Sequence, residues 1–206
     1  IYLGLIAYGI YQALPAQRHQ RAFAKVSWAI IAACVLQMIW IYVFLTYHFW
    51  WAAVIILGIV VCLVAAYLPT RSLKPTRKIR WFLQAPISIY FAWITIASVL
   101  NVAGALYVMA VPAEAISEFE SSVITASPSS VIATVVMMCV SAGISAVIAF
   151  KYSDVSYPAV AVWALIAIAL RHQNFVPIAF VGIALAIGLC IVIARLKFSR
   201  RTAPAD

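Results

Sequence analysis

The chain has 206 residues, of which 67% are apolar and only 9% charged. Soluble domains carry roughly 25% charged residues, and a water-exposed globule of this size could not hide so much apolar surface, whereas a bilayer lets outward faces stay apolar. The formal net charge of +9 would point a soluble protein toward nucleic acid. Here the basic residues fall in short segments between apolar runs, where they orient a membrane protein, so no nucleic-acid partner is expected.

The first apolar run, residues 1–14, is too short to cross about 30 Å of hydrocarbon and reads as the end of a helix that continues upstream. It lacks the basic leader and small-residue cleavage site of a signal peptide. Pro15 and the polar stretch QRHQR end it. The second run covers 26–47 and the third 49–68, with Pro69 after it; only His48 separates the two, which predicts a tight helical hairpin. A loop rich in Lys and Arg follows over 70–80. The fourth run, 81–111, holds Pro86 within its first two turns, where a missing N–H does least harm. Residues 112–130 carry Glu114, Glu118 and Glu120 and read as an acidic extracytoplasmic loop, with an interfacial helical turn around AEAISEFE. Runs at 131–150, 155–170 and 176–196 precede the polar tail SRRTAPAD. The expectation is an all-α polytopic transmembrane helix bundle of about seven spans.

Loop charges give the direction. Arg18, Arg21 and Lys25 lie in the first loop; Arg71, Lys74, Arg77, Lys78 and Arg80 in the third; Lys151 and Asp154 in the fifth; Arg195, Lys197, Arg200 and Arg201 in the last turn and tail. The second loop has no fixed charge and the fourth only glutamates. In a seven-span chain the odd loops and the tail share a side, and they hold every basic residue except Arg171. That side is predicted to be cytoplasmic, or stromal in an organelle, and the C-terminus with it.

No Gly-rich phosphate loop, HExxH motif or pair of intramembrane carboxylates is present, so no enzyme is expected. All five acidic residues lie in loops or the tail, which argues against a proton-coupled carrier. Cys34, Cys62, Cys139 and Cys190 lie inside apolar runs, far apart in sequence; neither a disulfide nor a metal site is expected. The polar residues within runs are Gln12, Gln37, Gln84 and Asn101, suited either to interhelical hydrogen bonds or to a ligand. Trp50, Trp51 and Trp81 stand at run ends, as an interfacial belt requires. Trp40 and Trp93 stand mid-run, with Tyr42 and Tyr90 nearby; such rings pack a core or line a pocket for a flat apolar ligand. His48 is either solvated in its turn or placed to contact a ligand.

The stretch QAPISIYFAWITIASVLN, residues 84–101, resembles the last-helix motif of the TspO/MBR family, the tryptophan-rich sensory or translocator proteins, which runs approximately PYLxWxxFAxxLN. Tyr90, Trp93, Ala97, Leu100 and Asn101 match in spacing, while Ile89 stands where the motif has proline. LQMIWIYVF, residues 36–44, resembles the family's LNWxWxxxFF stretch: Trp40 and Phe44 match, Gln37 replaces asparagine and Met38 the first tryptophan. Tyr8, Gly9 and Tyr11 resemble its YGxY element. The likeness covers residues 1–109 as family helices two to five, with the first family helix upstream, and is closest to a longer bacterial and plastid-lineage branch with extra C-terminal spans.

The resemblance implies a TspO-like region over 1–111, the acidic loop over 112–130, and additional helices with a basic tail over 131–206. It implies a membrane receptor or transporter for porphyrin-type tetrapyrroles, chlorophyll-type ones included, or sterol-like molecules, with a regulatory or stress role. A required cofactor is not implied; a homodimer is. Trp40, Tyr90, Trp93, Ala97 and Asn101 are placed near the pocket, with Tyr8 and Gln37 added as ligand contacts. Tyr90, Trp93, Ala97 and Asn101 fall close together on a helix surface, and convergence of Trp40 on them would border a cavity. The alternative is an accessory subunit of a larger, photosynthetic membrane complex, suggested by the small residues Ser141, Ala142, Ser145 and Ala146. The expected location is a bacterial inner membrane or a thylakoid-type membrane.

Overall fold

The computed structural model describes residues 1–13, 21–73, 76–110 and 128–202. The acidic turn expected around AEAISEFE lies outside them. The described residues are helical almost throughout and contain no strand: α1 (Tyr2–Ala13), α2 (Arg21–Leu45), α3 (Phe49–Arg71), a short α4 (Arg77–Ile79) running through a π-helical turn (Arg80–Gln84) into α5 (Ala85–Ala110), then α6 (Pro128–Tyr152), α7 (Ser156–Arg171) and α8 (Val176–Thr202). Five stretches are long and apolar enough to cross a bilayer, formed by α2, α3, α4 to α5, α6 and α8; α1 and α7 are shorter apolar helices. The protein is an integral membrane helix bundle. At 1.5 Å per residue the 16-residue α7 is about 24 Å long.

The chain forms two compact units, Ile1–Ser98 and Val99–Asp206. In the first, α2 and α3 pack as an antiparallel hairpin. The buried side of α3 runs Ala52, Ile56, Ile59, Leu63, Ala66 and Thr70, and α2 buries Val26, Ile30 and Ala33. Both stripes advance by alternating steps of three and four, the spacing of a helix–helix seam. The hairpin turns tightly because α2 ends in a Schellman motif. His48 N–H donates to the Val43 carbonyl at 3.2 Å and Tyr47 N–H to the Phe44 carbonyl at 3.1 Å. Tyr47 takes the left-handed conformation (φ 61°) that this cap requires.

Two boundaries differ from the sequence expectation. α3 runs past Pro69 to Arg71. Pro69 removes one N–H in the last turn only, and the Thr70 hydroxyl, donating to the Tyr67 carbonyl at 2.6 Å, helps hold that turn closed. The next helix begins at Arg77, not Trp81, because Thr76 caps it: its hydroxyl accepts from Ile79 N–H at 3.3 Å. The π turn then absorbs Pro86. Pro86 has no N–H for the Phe82 carbonyl, and widening the preceding turn, with Ala85 N–H bonded to the Arg80 carbonyl, eases the ring past it.

α3 and the π turn are clamped by polar contacts. The Gln84 amide donates to the Thr70 carbonyl at 2.8 Å, and an Arg71 guanidinium N–H reaches the Gln84 carbonyl at 3.5 Å. The guanidinium lies 4.3 Å from the Tyr67 ring centroid, and Tyr67 packs on Phe91. α1 runs antiparallel along the π turn: Tyr11 stacks on Phe82 at 5.6 Å, and a Cβ at Gly4 would stand 3.2 Å from Pro86 Cβ. Tyr8, buried, ties α1 to α2 through a 3.3 Å hydrogen bond to Ser27.

In the second unit α6, α7 and α8 pack pairwise. Asp154 Oδ1 accepts from Ser156 N–H at 2.9 Å, holding the turn that starts α7. α8 crosses α7 at Gly182, where an added Cβ would meet Ala169 Cβ at 3.1 Å, the Leu165 carbonyl oxygen at 3.2 Å and Met138 Cε of α6 at 3.0 Å.

Candidate functional site

The α2 stripe Val26, Ile30, Ala33 continues at the same spacing into Gln37, Trp40 and Phe44. The first three are buried; Gln37 and Trp40 are half-buried. Trp40 stacks on Phe44, with centroids 5.2 Å apart and planes 26° apart, and Phe44 meets Phe49 of α3 edge-on at 5.7 Å. The rings therefore sit at the end of α2 near the hairpin turn, where His48 Nδ1 lies 3.1 Å from Thr46 Oγ1.

Polar chemistry on this stripe is unusual. Gln37 Oε1 and Trp40 Nε1 are each shielded from solvent, and neither atom has a hydrogen-bond partner among the described residues. A shielded polar atom without a partner costs about 1–3 kcal/mol. One atom is an acceptor and the other a donor, one helical turn apart on the same face. A ligand group that both donates and accepts would satisfy the two together. Gln84, by contrast, is engaged in the clamp on α3, where its amide N–H donates to the Thr70 carbonyl.

The α5 residues divide. Between Ile87 and Ser98 this helix is buried on nearly every side. Tyr90 is 6% exposed and belongs to that buried surface, while Trp93 is 39% exposed. Ile89, Trp93, Ala97 and Leu100 make the one open stripe of this stretch, and half-buried Asn101 follows Leu100. Tyr90 and Trp93 thus face different surroundings despite their three-residue spacing. Tyr8 has its hydroxyl committed to Ser27. The structure brings Gln37, Trp40 and Phe44 together on α2, and sets Trp93 and Ala97 on an open ledge of α5.

The small residues noted on α6 are turned inward in part: Ala142 and Ser145 are buried, and the Ser145 hydroxyl donates to the Ser141 carbonyl at 2.8 Å. Sequence reasoning placed Gln84 among the residues suited to interhelical hydrogen bonds but missed its partners Thr70 and Arg71. It also missed the surfaces around the π turn, whose signal was a cation pair followed within a turn by Trp81, which reads equally as loop charge and interfacial belt.

Residues 1–195 match the family described as TSPO-like protein. The match continues well beyond residue 109, through the helices expected as additions to the family region. No curated protein and no solved structure matches the chain.

Proposed function

The chain belongs to the TSPO-like protein family, and from that premise we propose that it is a non-enzymatic membrane receptor or carrier for a flat amphiphile of the porphyrin type. The observation that supports this most is the unpartnered pair on α2, Gln37 Oε1 and Trp40 Nε1. A tetrapyrrole's propionic side chain, protonated in a low-dielectric site, presents an O–H donor to Gln37 Oε1 and a C=O acceptor to Trp40 Nε1–H, and so supplies a partner to each. The Trp40–Phe44 stack gives the plate an aromatic surface, and the open Trp93–Ala97 ledge gives a second apolar surface reachable from the membrane. A sterol-like hydroxyl could serve the same pair, but it would leave the plate-shaped aromatic surface without a matching partner.

The test is titration of the purified full chain with protoporphyrin, followed by tryptophan quenching. Saturable quenching is expected. Trp40→Phe, which keeps a ring and deletes the N–H, should weaken it roughly tenfold, the equivalent of about 1.4 kcal/mol. Ala97→Phe reports whether the α5 ledge shares the ligand: weaker binding in a folded variant places it there. Absence of saturable quenching in the parent chain would sink the tetrapyrrole reading. The accessory-subunit reading draws less support than before, since part of the α6 small-residue face is used within the chain; stable co-purification with a larger complex, without quenching, would restore it.

A further inference from the structure

A second, separate feature lies at the start of the span Arg77–Leu106. A groove of about 600 Å³ opens between α1 and the π-helical segment. Gly4 and Ala7 of α1 form one wall; Trp81, Phe82 and Pro86 form the other. Both walls are apolar. Arg77 and Lys78 line it as well, and both are exposed. The groove exists because Gly4 lets α1 approach Pro86 closely while the π turn swings Trp81 and Phe82 outward, Trp81 being 67% exposed.

Charge decides what suits it. The unit Ile1–Ser98 contains eight Lys and Arg side chains and not one Asp or Glu. Arg77 and Lys78 therefore have no carboxylate side chain within their own unit to neutralise them. Exposed Trp81 one turn further along marks the membrane boundary. Cations at that level, next to an apolar slot that descends toward the hydrocarbon, match a molecule with an anionic head and an apolar tail.

We propose that this groove holds one anionic phospholipid, its phosphate between Arg77 and Lys78 and the first part of an acyl chain against Ala7, Phe82 and Pro86. A zwitterionic lipid fits the same slot but brings its own cation to two cations. The groove thus selects by headgroup charge. The site is independent of the α2 pair, so either reading stands if the other fails.

Native mass spectrometry of the full chain in mild detergent tests it, with phosphatidylglycerol or phosphatidylcholine added at equal concentration. One phosphatidylglycerol should be retained several-fold more than phosphatidylcholine. Arg77→Gln with Lys78→Gln should bring the two lipids level. Arg200→Gln with Arg201→Gln removes the same charge from the tail and should leave the preference intact. Ala7→Leu narrows the apolar wall, keeps every charge, and should reduce phosphatidylglycerol retention; it also tests the site if the double glutamine variant does not fold. Equal retention of both lipids by the parent chain overturns the proposal. So does equal loss of preference in the tail variant, which would make the effect one of net charge. A lipid-free dimer would assign the groove to a second copy and overturn it too.

Discussion

Ile1–Ser98 and Val99–Asp206 solve one problem in two ways. In lipid, helices gain little from hiding apolar surface from one another, so they must be held by close packing or by polar contacts. The first unit uses rings and polar side chains: the ring contacts Tyr11–Phe82, Phe44–Phe49 and Tyr67–Phe91, and the Thr70–Arg71–Gln84 clamp, all fall within it. Six of the seven tryptophans and almost the whole +9 charge are there, because the second unit sets its six Lys and Arg against all five carboxylates. The second unit uses backbone approach, with Gly182 admitting α7 and α6 side chains to van der Waals range. A unit held by rings and hydrogen-bonding groups has chemistry to offer a ligand; one held by glycine and alanine is suited to be scaffold.

The contrast is broken most easily at Gly182. Gly182→Leu puts a branched side chain where a single Cβ already meets a carbonyl oxygen at 3.2 Å, and overpacking of this kind costs about 1–3 kcal/mol. Gly188, on the same helix, has nothing within 4 Å of an added Cβ; Gly188→Leu should stay within about 0.5 kcal/mol. Thermal unfolding of the full chain in detergent, followed by circular dichroism, reads the difference. Equal melting temperatures would mean that close approach at Gly182 does not hold the second unit.

The matching test of the first unit compares two glutamines. Gln84→Leu removes the donor to the buried Thr70 carbonyl and should cost about 1 kcal/mol. Gln37→Leu removes an amide whose oxygen has no partner among the described residues, and should cost less or even stabilise. If Gln37→Leu is the more damaging change, its amide is structural and the ligand reading loses its support.

These two glutamines also mark how far the sequence could be read. The apolar runs located the five long helices and the two shorter apolar ones among the described residues, because length and composition are what a bilayer selects. They could not rank Gln37 against Gln84, since that depends on which carbonyl each amide meets across a helix pair. The helix starting at Arg77 was hidden by its own charges: basic residues in a first turn look like loop, and the Thr76 cap was the overlooked signal. The π turn was invisible to apolar periodicity, although Pro86 supplies its reason. Trp40 was legible as a candidate because the apolar run 26–47 sets it away from its ends, although α2 stops at Leu45 and brings the ring near the hairpin turn. The split between Tyr90 and Trp93 was not, because three-residue spacing places two side chains near each other without saying where a neighbouring helix ends.

The smallest expected effect concerns a device present in both units. Tyr47 (φ 61°) and Ser153 (φ 49°) each hold a left-handed conformation just after a helix, and neither is glycine. A side chain at such a position crowds the following carbonyl. Replacing Tyr47 with glycine alone would mislead, because the edge-on contact with Phe49 at 6.0 Å is lost together with the strain. The informative quantity is the difference between Tyr47→Gly and Tyr47→Ala: both lose the ring, and only glycine relieves the backbone. The same pair at Ser153 loses the hydroxyl in both variants and again differs only in the backbone. Glycine should exceed alanine by about 0.5–1 kcal/mol at each position, the strain relieved being partly offset by glycine's freedom in the unfolded chain. Because this contribution comes from the backbone alone, it should be alike in the ring-held unit and the glycine-held unit. A clear glycine advantage at Ser153 with none at Tyr47 would mean that the α2–α3 turn relaxes when its ring is removed, so that the Tyr47–Phe49 contact, and not the Schellman cap, sets that hairpin.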